Sequence, residues 1–269
     1  MRRAAAVARC FLPECILDYT MVHGSVHFHL FPVLLLAFLS LAGFLDEARA
    51  EDEALRIVTI ELGVGGRLED GRPTGFCYDL GNALAREAGF EPENRLVPLA
   101  RGVEEVSLDL ADMIIVAPDE RLDEAAENVG KVETLVIVAW GRVETPLRNK
   151  RDLIGRTVAV VRGSRLDRER AGELRIIPFP CRNHELGFKM LMAGRVDAVI
   201  GPLQGLTFAV EKIGLRSRFL GEPLVLGEAP VNVYVSRRLP SAARNRLRRA
   251  LERFLEDGTV ARLRGRYPL

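Results

Sequence analysis

Histidine is scarce in this chain: there are four in 269 residues, and only His184 lies beyond residue 50. With a single imidazole and no carboxylates at ligand spacing, that stretch offers no metal motif. Cysteine is equally thin. Cys10 and Cys15 fall in the first 50 residues, and Cys77 and Cys181 stand too far apart for a zinc-type pattern. No glycine-rich run ends in Gly-Lys-Ser/Thr, which excludes a phosphate loop. A surplus of one charge is missing too. The 38 basic residues are balanced by 37 acidic ones, so a nucleic acid would find no basic field to hold it. The Arg-rich stretch 237–266 alternates with Leu and Ala at helical spacing and reads as a solvated helix face. No nucleic-acid partner, metal or cofactor is expected.

Long apolar runs are also absent but for one. Residues 30–45 form a nearly continuous apolar run of 16 residues. That is short against the roughly 20 residues of a membrane-spanning helix and suits the core of a signal peptide. Ala48-Arg49-Ala50 follows, with small residues where a signal peptidase reads. The expectation is a signal peptide over residues 1–50, cleaved after Ala50, and export to the periplasm. Acidic Glu14 and Asp18 interrupt the leader, so Met21 is an alternative start, one that leaves His23, His27 and His29 as a weak basic region. An uncleaved anchor helix is the competing reading. An oxidising compartment permits a Cys77–Cys181 disulfide, but two separate buried thiols are expected.

Beyond residue 55, short apolar runs alternate with helical patterns. Residues 55–60, 94–97, 112–116, 135–139, 157–161, 174–177, 196–200 and 231–235 read as strands, several of them apolar throughout as in a covered parallel sheet. Helices are expected from Asp79, as cap, to about Ala88, then over 119–127, 184–193, 203–213 and 244–255. Such alternation implies parallel sheets with helices on both faces, and ligands at the carboxyl ends of the strands.

Several motifs then occur in a fixed order. They include Gly75-Phe76-Cys77-Tyr78-Asp79-Leu80, Ala111-Asp112-Met113-Ile114-Ile115 with Pro118-Asp119-Glu120-Arg121, and Asp152-Leu153-Ile154-Gly155 leading to Arg162-Gly163-Ser164. Gly194-Arg195-Val196-Asp197-Ala198 and Leu255-Glu256-Asp257-Gly258-Thr259 follow. The series resembles the family 3 bacterial extracellular solute-binding proteins over essentially all of residues 55–267. The resemblance implies a two-lobed, type II periplasmic-binding-protein α/β fold with two hinge crossovers. By position, lobe 1 would be residues 55–133 plus 231–269 and lobe 2 residues 134–230. It also implies a monomer that closes on a small polar or anionic solute and passes it to an inner-membrane ABC permease. No catalytic residue is expected.

The same resemblance nominates site residues. Arg121 stands where the family places the arginine that grips a carboxylate with its planar fork; paired with a nearby acid it would be only a surface residue. Gly163 and Ser164 match a lobe 2 turn that donates to the carboxylate, unless Ser164 merely caps a helix. Arg165 adds charge beside them. Arg101, Glu61 and Tyr78 are further cleft candidates, and Gln204 is a weak substitute for an ammonium-holding Asp that is missing near Pro202. Val64 stands where an aromatic commonly lies, and Cys77 replaces an acid. Anion-gripping groups persist while the ammonium grip is mostly lost, which favours a carboxylate-bearing ligand over a standard α-amino acid. Two other functions stand beside transport. One is a sensory domain acting through a membrane kinase. The other is a cleft enzyme such as a dehydratase, for which Glu61 is the single nameable acid–base group.

Overall fold

The computed structural model describes residues 53–168 and 171–267. The expected signal peptide over residues 1–50 lies outside them. Ten strands and nine helices are described. β1 (Ala54–Ile60) alternates an exposed arginine with β-branched residues that burrow into two faces at once. A short hairpin, β2 (Arg67–Glu69) and β3 (Arg72–Thr74), leads to α1 (Phe76–Glu87), which buries Phe76, Leu80, Leu84 and Ala85 on one stripe. β4 (Glu91–Val97), α2 (Leu99–Ser107), β5 (Met113–Val116) and α3 (Glu120–Ala125) complete the first βα series. β6 (Ala126–Gly141) then runs out of it.

The second series is β7 (Thr157–Val161), α4 (Arg165–Arg168), α5 (Ala171–Leu174), β8 (Ile177–Cys181), α6 (His184–Met192), β9 (Ala198–Pro202) and α7 (Leu203–Lys212). β10 (Leu224–Ser236) returns to the first half, and α8 (Ser241–Glu256) and α9 (Thr259–Gly265) pack there.

All strands but β2 and β3 share one sheet of order β4-β1-β5-β10-β6-β9-β7-β8. β1 runs parallel to β4 and β5, and β7 runs parallel to β8 and β9. Between these parallel ends lie β6 and β10, antiparallel to each other and long enough to belong to both halves. Asn232–Val235 of β10 pairs with β5 in one half. Ile137–Gly141 of β6 pairs with β9 in the other. These two strands are the hinge crossovers, and a register shift between Val231 and Asn232 falls near the middle.

Each half carries apolar packing on both faces of its sheet. In the first lobe Ile57, Met113 and Ile115 face α1, α8 and α9, while Val58 and Ile114 face α2 and α3. In the second, Ala159 and Val199 face Phe188 and Leu206, while Val158, Ala198 and Ile200 point the other way, towards Leu147 and Leu153. Period-two alternation in strands covered on both sides produces this pattern.

Three expectations need correction. Asp79 does not cap α1: the helix begins at Phe76 behind Gly75 (φ 130°), and Asp79, in the first turn, accepts a hydrogen bond from the Tyr267 hydroxyl. The strand expected over residues 174–177 starts only at Ile177. The chain makes a helical turn to Leu174, and the strand is Ile177–Cys181. Pro178 and Pro180 hide it in the sequence but suit a sheet edge. Ile177 donates to the Arg156 carbonyl, so the alternate prolines face outwards, where no donor is needed. Finally, residues 135–139 and 231–235 are only the apolar portions of β6 and β10.

Candidate functional site

A cavity of about 410 Å³ lies between the two halves. From the first lobe it takes Leu62, Val64, Phe76, Cys77 and the Ile115–Asp119 stretch at the end of β5. The second lobe supplies the turn Gly163–Leu166 after β7, and Gly201, Pro202 and Gln204 where β9 meets α7. Glu133, Leu135 and Pro230 on the crossing strands form its back. Strand ends meeting helix starts is where a parallel α/β sheet places ligands. Most of the wall is apolar, which suits a small-molecule pocket with few polar contacts.

The halves touch around this cavity. Arg121 Nη2 donates to the Gly163 carbonyl at 3.3 Å. Gly163 (φ +80°) lies so close to α2 that an added Cβ would stand 2.7 Å from the Ala100 Cβ. Arg182 reaches Glu61 at 3.4 Å. Phe208 of α7 packs against the first lobe's core beside Gly63 and lies 5.5 Å below the Arg67 guanidinium.

Of the nominated residues, Gly163, Ser164, Arg165 and Gln204 line the cavity. Arg121 adjoins it, with its fork already on a neighbour: Nε and Nη2 donate to the Asp119 carboxylate at 2.9 and 2.8 Å. Asp119 also caps α3 and is almost fully buried. The Gly163–Ser164 turn is internally tied. Gly163 N–H donates to Asp167 at 2.8 Å, and Ser164 Oγ accepts from the Asp167 amide at 3.3 Å. Arg101, 67% exposed, pairs with Glu105 away from the cavity lining. Glu61 sits outside the lining with Arg182, and Tyr78 is not among the lining side chains. Trp140 packs in the second lobe, edge-on to Phe188, with Nε1 donating to the Gly221 carbonyl.

Two features of the cavity escaped the sequence reading. Arg264 of α9 lines it, with Nε donating to Glu133 at 3.1 Å and Nη1 to the Tyr267 carbonyl. The expectation of a wholly solvated face for the Arg-rich stretch fails at this residue, because α9 folds back onto the crossing strand. Burial raises the Glu133 carboxyl above its usual range, with Arg264 pulling the other way. Nearby, burial pushes the Cys77 thiol up to about 12. Cys77 and Cys181 are both free thiols.

The second is His184, the first residue of α6. Asn183 is the cap, accepting from the Leu186 amide at 3.0 Å, and His184 is 3% exposed. It is among the residues that line the cavity, with its ring against Gly201 and Gly205. Burial lowers its pKa to about 4, so the imidazole is neutral at pH 7.

A two-lobed α/β chain with a cavity between its lobes has the architecture of the periplasmic binding proteins. No family model matches the chain. It is 24% identical over 247 residues, spanning 87% of this chain and 91% of the relative, to the probable amino-acid-binding protein YxeM of Bacillus subtilis (strain 168). Among solved structures it superposes on an ancestral arginine-binding protein bound to arginine with a TM-score of 0.68, at 20% identity, covering 80% of this chain and 97% of that one. It also superposes on a histidine kinase sensor domain with similarity to periplasmic binding proteins, with a TM-score of 0.68 at 16% identity, covering 79% and 95%. Its ordered motifs resemble those of the family 3 solute-binding proteins, and its fold is shared with these structures.

Proposed function

We propose that the chain is a non-catalytic solute receptor, capturing a small carboxylate-bearing molecule between its lobes for an ABC-type importer in the periplasm. Lobe 1 is residues 55–133 plus 231–269 and lobe 2 residues 134–230, with a cleaved signal peptide over residues 1–50. The observation carrying this reading is the cavity itself, lined from both lobes and bounded by direct contacts between them. A ligand that touches both lobes only when they are closed shifts the population towards that state.

Ser164, Arg165 and the adjoining Arg121 form the polar end where a carboxylate would dock. In this arrangement Arg121 shares its charge between Asp119 and the ligand, and the Ser164 hydroxyl turns from cap to donor. The non-catalytic reading is supported by the cavity's shielded acids, since Asp119 and Glu133 each lie against an arginine, while Glu228 is exposed. A sensory receptor is the second reading, favoured by the fold shared with the kinase sensor domain.

Thermal unfolding against amino acids, dicarboxylates, sugars and polyamines tests the proposal. A ligand at a hundred times its Kd stabilises by about 2.7 kcal/mol. Stabilisation by carboxylates, lost in Arg121→Ala, is the expected result. Stabilisation by sugars or polyamines alone would refute the carboxylate reading. Deleting the gene separates the two roles: lost uptake of the ligand marks the importer, and intact uptake with lost transcriptional response marks the sensor.

A further inference from the structure

Within that carboxylate reading, on which this inference rests, we propose that His184 contacts the ligand and reads an uncharged oxygen on it, so that the preferred solutes are hydroxy or oxo acids rather than amino acids. Four observations lead there. His184 is 97% shielded from solvent, given its 3% exposure, yet no described residue hydrogen-bonds its ring. A neutral imidazole beside a cavity keeps one donor and one acceptor to offer a ligand atom. His184 is among the residues that line the cavity. It also occupies a slot that only glycine leaves open: a Cβ on Gly201 would stand 2.5 Å from Nε2, and one on Gly205 3.2 Å from Nδ1.

The fourth observation concerns charge. An amino acid brings an ammonium that needs an uncommitted acid once water is excluded. The two shielded acids lining the cavity are committed: Asp119 to Arg121, and Glu133 to Arg264. Glu228 also lines it but is exposed. Next to the imidazole, Glu185 is engaged by Lys212 at 3.2 Å. Gln204, on the neighbouring helix start, is uncharged. The surroundings that keep the imidazole neutral penalise a ligand cation in the same way. A neutral imidazole accepts from a hydroxyl through its bare nitrogen or donates to a keto oxygen through the other. The apolar walls then hold a short hydrocarbon body.

The test is calorimetric titration of the purified protein with four acids on one skeleton: leucine, 2-hydroxy-4-methylpentanoate, 4-methyl-2-oxopentanoate and unsubstituted 4-methylpentanoate. The hydroxy or the oxo acid is expected to bind at least tenfold more tightly than both the amino and the unsubstituted acid. His184→Phe should erase that advantage and leave the unsubstituted acid within about threefold. His184→Gln, which keeps a donor and an acceptor, should restore part of it. His184 is the single imidazole beyond residue 50, and its ring nitrogen resonances should move with the oxygenated acids only. Leucine binding most tightly, or His184→Phe weakening all four acids equally, would overturn the proposal and leave the carboxylate reading standing. If none of the four binds, both fail together. Should His184→Phe not fold, the order of affinities in the unaltered protein still decides.

Discussion

Acidifying the protein from pH 7 to pH 5 should destabilise it through His184 alone by about 2 kcal/mol. The folded imidazole has a pKa of about 4, against 6.5 in the exposed chain. Because the folded value is depressed, the unfolded state binds the proton first. Stability from this group is therefore intact above pH 6.5 and falls as pH drops through 6.5 towards 4. Linkage over that window gives about 2 kcal/mol by pH 5 and roughly 3 kcal/mol in full. For a chain of this size that corresponds to a Tm loss of about 4–8 °C. The measurement is urea unfolding at pH 7, 6 and 5 for the protein and for His184→Gln, which cannot titrate. Other groups contribute to both curves, including the raised Glu133, and cancel in the difference. The gap between the two proteins should narrow by about 2 kcal/mol between pH 7 and pH 5. Parallel curves would refute the reasoning, showing that water or a charge reaches the ring.

Gly163→Ala should weaken ligand binding at least tenfold and raise the radius of gyration of the liganded protein in X-ray scattering. The new methyl would stand 2.7 Å from the Ala100 Cβ across the interlobe contact. Cys77 and Cys181 should resist thiol reagents at pH 8 and label fully in guanidinium chloride, with sites mapped by mass spectrometry, because burial holds both thiols above their usual pKa. Arg182→Ala should change unfolding stability by less than about 1 kcal/mol, since the arginine of its pair with Glu61 is 71% exposed.

Strands covered on both faces were readable from sequence because each is a run of apolar residues. Met113–Val116 and Thr157–Val161 are examples. The crossing strands showed only their apolar portions. In their middles Glu133-Thr134 lies opposite Val231 and Pro230, and Glu133 and Pro230 line the cavity rather than enter a core. Gly163, Ser164, Arg165 and Gln204 could be nominated because they follow recognisable strands. Arg264 could not: its partner Glu133 lies 131 residues away, and nothing in an Arg-rich helix marks which guanidinium turns inwards. His184 was hidden for a similar reason. What buries it is the absence of side chains at Gly201 and Gly205, on elements that come later in the chain.

The crossing strands have a mechanical consequence. Because β6 and β10 pair along nearly their whole length, the joint between the lobes is a two-stranded ribbon and not a pair of independent tethers. A ribbon flexes and twists as a leaf spring does, with its ladder of amide bonds kept. Part of the slack for that flexure lies at the slip between Val231 and Asn232, one of three register shifts along the pair. Opening would then require no local melting. Amides on either side of the slip should exchange with deuterium slowly whether or not the lobes are apart, while those of the Gly163–Ser164 turn should follow the opening itself.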